Sequence, residues 1–142
     1  MELPAAVVDR IDQLSESGNT LLDDRGDWRG AIAVWQQASA LLPEPKSQWE
    51  AWTWLNTSIG EAFRLGGNLS EARTALFDAL NGPDGHGNPF ILLRLGQTLV
   101  DLGEKEKGIE YLLRSYMLGG DELFQNDAAP YQQLLRDRKL ID

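Results

Sequence analysis

An all-α fold is what this sequence predicts, built from three copies of one helix–turn–helix unit. Three observations carry the prediction. Apolar residues recur at helical spacing along most of the 142-residue chain. Gly26, Gly67 and Gly103 fall between the periodic segments, and Pro43, Pro45, Pro83 and Pro89 bound them. Three stretches also align with one another: "LSESGNTL" (14–21), "NTSIGEAF" (56–63) and "LLRLGQTL" (92–99).

Taken in order, the pattern places helices over 4–24, 27–42, 47–66, 69–81, 89–102, 105–118 and 129–138. The first, third and fifth carry the aligned stretches. Each sets a glycine three residues before a large apolar residue: Gly18/Leu21, Gly60/Phe63 and Gly96/Leu99. Mid-helix glycine costs roughly 1 kcal/mol relative to alanine, so three such glycines need a reason. The second, fourth and sixth helices supply one. They repeat a small residue, an apolar residue four later and a small residue three beyond: Ala31/Trp35/Ala38, Ala72/Leu76/Ala79 and Gly108/Leu112/Ser115. Gly18, Gly60 and Gly96 are expected to face Ala31, Ala72 and Gly108 across close helix hairpins. Asp27 and Asn68 are expected to cap the second and fourth helices. In the third helix Trp52, Leu55, Ile59 and Phe63 form one stripe, with Trp49 a turn earlier, and are expected in the core beside Trp35. The tail from 121 to 142 departs from the repeat. Its Tyr131, Leu134 and Leu135 are expected to cap an open end.

These positions together resemble the tetratricopeptide repeat, whose unit of ~34 residues carries W-x2-L-G-x2-Y, then A-x3-F, then proline. The resemblance covers residues 11 to 120. It implies one domain over 1–142, a right-handed α-solenoid of three repeats (4–43, 47–83 and 89–120) with a C-terminal capping helix in 121–142. Departures are an extra residue in the first turn, Asn56 where Trp is usual, and Gly108 and Ser115 in place of alanines. The glycine spacings of 42 and 36 also exceed the usual period.

Composition bounds the function. The net charge is −9, and residues 1–27 hold seven acids against Arg10 and Arg25. Such a field disfavours nucleic acid and anionic membrane and steers a basic protein partner. The chain has no cysteine, no apolar run near the ~20 residues that span a bilayer and no basic n-region before an apolar core. A cytoplasmic location is expected. Asn56-Thr57-Ser58 and Asn68-Leu69-Ser70 match the glycosylation sequon by chance. The single histidine, His86, lies in "GPDGHGN" without a second ligand, and that run lacks the strand and lysine of a phosphate loop. No enzyme activity, metal or cofactor is expected.

The resemblance implies partner binding through the first helix of each repeat. The corresponding rows are Asp12, Ser15, Asn19 and Asp23; Trp54, Thr57, Glu61 and Arg64; and Phe90, Leu93, Gln97 and Asp101. Trp54 lies off its helix's apolar stripe, and aromatic anchors beside acids suit a protein-binding face. Leu93 fits core packing equally well. The lysine–asparagine–arginine clamp of tetratricopeptide co-chaperones is matched only at Asn19, and the acids would repel the acidic tails that clamp holds. The runs "LLPEPKSQWEAWTWLNTSIGEAF" and "GHGNPFILLRLGQTLVDLGEKEKGIEYLLRSYMLGGDELF" are also similar to small free-standing three-repeat bacterial proteins often encoded beside polymorphic toxins. That implies an immunity protein neutralising a basic toxin domain, such as a nuclease. The alternative is a scaffold or secretion chaperone holding an extended peptide.

Overall fold

A computed structural model describes residues 2–142. It is all-helical, with no strand among the described residues. The chain divides after Pro83 into two compact units. The first holds α1 (Ala5–Arg25), α2 (Trp28–Ala40), α3 (Glu50–Leu65) and α4 (Leu69–Leu80). The second holds α5 (Pro89–Asp101), α6 (Lys105–Gly119) and α7 (Ala129–Asp137). Consecutive helices pair as α1 with α2, α3 with α4 and α5 with α6; α2 also packs on α3, and α7 on α6.

The three hairpins share one turn. Gly26, Gly67 and Gly103 all take the left-handed conformation, with φ of 64°, 81° and 93°. Nothing lies within 4 Å of a Cβ at any of them, so it is the backbone that calls for glycine there. The following amide closes each turn, Asp27 onto Leu21 O, Asn68 onto Phe63 O and Glu104 onto Leu99 O, each at 2.9 Å. The first bond spans six residues and the other two five, which is the extra residue read from the sequence. Each second helix then opens alike, with Ala31, Ala72 and Gly108 donating to the carbonyls of Asp27, Asn68 and Glu104.

Two local expectations are corrected. Asp27 does cap α2, its Oδ1 accepting from Gly30 N at 2.9 Å, but the Asn68 side chain makes no cap bond. The stronger cap is Asn88, whose Oδ1 accepts from Phe90 N and Ile91 N just ahead of Pro89 at the first helical position. The third helix starts at Glu50 rather than 47. Lys46 Nζ donates to Leu42 O at 2.8 Å and the Trp49 indole to Pro43 O at 2.8 Å, holding Trp49 extended behind a short 3-10 turn, Lys46–Gln48.

The in-helix glycines are packing positions, and the nearest side chain at each belongs to the bulky residue one turn beyond the small residue. A Cβ on Gly18 would fall within 3.0 Å of the Trp35 indole. On Gly60 it would sit 2.7 Å from Leu76 Cγ, and on Gly96 2.7 Å from Leu112 Cγ. In the third hairpin the small residue itself is among the nearest neighbours, with Gly108 O 3.0 Å from that Gly96 position. The bulky side chain of each second helix therefore seats on the glycine of the first.

The first unit's core gathers Ile11, Leu14, Ile32, Trp35, Leu55 and Ile59 around Ala31, Ala38 and Ala62. Trp49, Trp52 and Phe63 are half-buried against it rather than enclosed. The second unit's core gathers Leu93, Ile109, Leu112, Phe124, Ala128 and Leu135. Tyr131 and Leu134 of α7 pack on it, and Arg138 grips Glu106 of α6 at 2.6 and 2.8 Å.

Candidate protein-binding surface

The three rows expected to meet a partner fare differently. In α1, Asn19 and Asp23 are exposed. In α3, Trp54 is 39% exposed, a large value for a tryptophan on a helix that is otherwise well packed. Thr57 is half-buried, its hydroxyl donating to Thr53 O at 2.7 Å. Glu61 and Arg64 are also half-buried and pair with each other, Nε to Oε1 at 3.2 Å, so neither is a simple free charge.

Two residues of the α5 row, Leu93 and Gln97, are turned inward, which corrects their expected place on an open face. Leu93 belongs to the core of the second unit. Gln97 is buried; its Oε1 accepts from Arg94 Nη1 at 2.8 Å, and its Nε2 makes no hydrogen bond among the described residues. Asp101 is exposed but accepts from the Tyr131 hydroxyl at 2.7 and 2.8 Å. Phe90 lies half-buried under the Arg94 guanidinium, 4.9 Å from its ring centre, and Arg94 reaches Asp127 at 3.6 Å. The physical reason is α5 itself. "PFILLRLGQTLV" is apolar nearly all round, and such a helix is enclosed rather than half-exposed. Two of the polar tips it carries, Arg94 and Asp101, are met by Asp127 and Tyr131 of the tail.

What Trp54 does share a surface with was not expected. A cleft of 640 Å³ separates the start of α1 from the start of α3, lined by Glu2, Leu3 and Val8 on one side and Gln48, Trp49, Glu50, Ala51 and Trp54 on the other. Val8 and Trp54 are exposed apolar side chains, and Glu2 and Glu50 are exposed acids. The cleft thus offers an aromatic anchor, an aliphatic neighbour and two carboxylates, with no basic side chain among its described lining residues. Val8 and Glu50 sit at ordinary helix positions, and only the tertiary fold brings them to Trp54. Asn19 is 11 residues beyond Val8, about 16 Å along α1, so it and Asp23 lie well away from this cleft.

The other side of α3 carries a second concavity, a groove of 440 Å³ between α2 and α4. Its floor includes Trp52, Ile59 and Phe63, and its α4 wall holds Glu71 and Asp78. Burial pushes the Asp78 carboxyl above its usual 3.8, and no ion pair among the described residues offsets it. A carboxylate whose folded pKa is raised opposes folding when charged, and the cost fades as pH falls toward its ordinary range. Asp78→Asn is therefore expected to raise the thermal midpoint at pH 7. The gain should stay under about 1 kcal/mol, because the group is largely solvated. It should shrink when the melt is repeated near pH 4, and a lower midpoint at pH 7 would show that the carboxylate is paired.

Among the described residues no helix is long and apolar enough to cross a membrane, and no group of three or more His, Cys, Asp or Glu could hold a metal ion. His86 is exposed in the segment ahead of α5. No protein-family model matches the chain, and no curated protein matches it.

Proposed function

We propose that this protein is a tetratricopeptide-type interaction module, a three-repeat right-handed solenoid with a C-terminal cap, that binds a basic protein partner. The observation that carries this reading is the cleft at Trp54. An exposed indole that shares its cleft with Val8, Glu2 and Glu50, with no basic side chain among the described lining residues, is a desolvation anchor inside a negative field. The recurring turn bonds of the three hairpins, one a residue longer than the other two, and the seating of Trp35, Leu76 and Leu112 on in-helix glycines support the repeat assignment. Resemblance to proteins encoded beside toxins makes the partner a toxin domain, which the protein would neutralise in the cytoplasm as an immunity protein by covering a basic cleft. An acidic surface suits that task because opposite fields speed association.

The test is recovery of the partner. The tagged protein is purified from its native host at low and at moderate salt, and co-purifying chains are identified. One stoichiometric partner with a strongly basic domain, released as salt rises, is the expected result. Several unrelated chains, or a secreted protein held through an unfolded segment, would replace this reading with a scaffold or chaperone. Trp54→Ala should weaken the recovered complex by more than about tenfold while leaving helicity intact. Glu61 and Asp101 are poor sites for charge reversal, since each already has an intramolecular partner. Glu2 and Glu50 are the cleaner probes.

A further inference from the structure

We propose that the groove between α2 and α4 is a second binding site, which takes a short extended peptide segment bearing a lysine or arginine beside an apolar side chain. It is separate from the Trp54 cleft: Trp52 and Trp54 project about 200° apart around α3. Both α2 and α4 pack on α3, which leaves α3 as the floor between them. Trp52, Ile59 and Phe63 form an apolar base, Ala40 closes the α2 side, and Glu71 and Asp78 stand on the α4 side. The Trp52 indole donates to Asp78 O at 3.1 Å, tying floor to wall, so the groove is held open in advance of any occupant. A space of 440 Å³ suits a few side chains of an extended segment rather than a whole helix.

Charge selects the occupant. Asp78 is partly buried and has no counter-ion among the described residues, an arrangement that disfavours its charged form. Lys46 also lines the groove, but its ammonium donates to Ala40 O and Leu42 O, closing the end of α2. An incoming lysine or arginine supplies the absent cation at Asp78, and its apolar neighbour covers the aromatic floor. Acidic segments would meet Glu71 and Asp78 and be rejected.

The test pans a display library of random octapeptides against the full-length protein, with Asp78→Lys and Trp54→Ala as parallel targets. The leading synthetic peptide is then titrated by tryptophan fluorescence. Enriched peptides should carry a basic residue next to apolar ones. Their affinity should fall about tenfold or more in Asp78→Lys and stay within about twofold in Trp54→Ala. Asp78→Asn should lose affinity too while melting no lower than the parent, which separates lost binding from lost folding. Peptides lacking a basic residue, no enrichment over blank beads, or equal affinity for Asp78→Lys would overturn the proposal. So would a dimer in sedimentation that Asp78→Lys dissolves, since the occupant would then be a second copy of the chain. The Trp54→Ala arm keeps this outcome independent of the basic-partner reading.

Discussion

Trp35→Ala is expected to destabilise the protein by about 3–5 kcal/mol, read as a shift in the urea midpoint. Trp35 is 2% exposed and is the largest enclosed side chain of the first unit. Its ring fills the space between α1 and α2, over Gly18, and its Nε1 donates to Ser15 O at 3.2 Å. Truncation removes the ring's burial and leaves a cavity that two helices would have to collapse into. Trp35→Phe should cost much less, since it keeps most of the apolar ring and loses one hydrogen bond worth about 1 kcal/mol. A coupled variant checks the seating of the ring on the glycine. Gly18→Ala alone should destabilise, because its methyl would enter the indole. Placed in Trp35→Ala, the same change should become neutral or stabilising, since the methyl meets a void and alanine favours the helix. Equal effects in both backgrounds would mean that Gly18 and Trp35 do not share this contact.

Gly108→Ala is the second large effect, and its sign separates packing from propensity. Helix propensity alone favours the change by about 1 kcal/mol. The structure opposes it: the new Cβ would lie 2.8 Å from Gly96 O and 2.8 Å from Val100 N, both backbone atoms of α5. A side chain can rotate away, but the backbone of a helix cannot, so α5 and α6 would have to part. Overpacking costs typically 1–3 kcal/mol, and this case belongs at the upper end, for a net loss of about 2 kcal/mol. Gly60→Ala is the milder comparison, because its closest neighbours are side-chain atoms of Leu76 and the nearest backbone atom stands 3.4 Å off. A more stable Gly108→Ala protein would remove the close-hairpin account.

The helices were legible in the sequence because each hairpin repeats the same local chemistry. Glycines at Gly26, Gly67 and Gly103 end the first helices, and the spacing of Ala31, Trp35 and Ala38 recurs in the second. What the sequence concealed lies where side chains bind backbone across a connection, as Lys46 and Trp49 do ahead of α3. The surface was harder still. Trp54 could be read as off-stripe from helical geometry alone, but its neighbours Glu2 and Val8 come from a segment more than 40 residues away in the chain. The row of Phe90, Leu93, Gln97 and Asp101 follows helical spacing as well as the Trp54 row does. Spacing cannot tell that Tyr131 and Asp127 return from the tail to claim Asp101 and Arg94. The all-round apolarity of α5 was the available signal that this row is not an open face.

The claim that Trp54 anchors a basic partner is tested most directly by host purification of three tagged proteins side by side: the parent, Trp54→Ala and Asp78→Lys. Circular dichroism on each confirms that all three are folded. The account predicts a single basic partner, stoichiometric with the parent, depleted about tenfold or more with Trp54→Ala and retained with Asp78→Lys. Full recovery of that partner by a folded Trp54→Ala protein would contradict it.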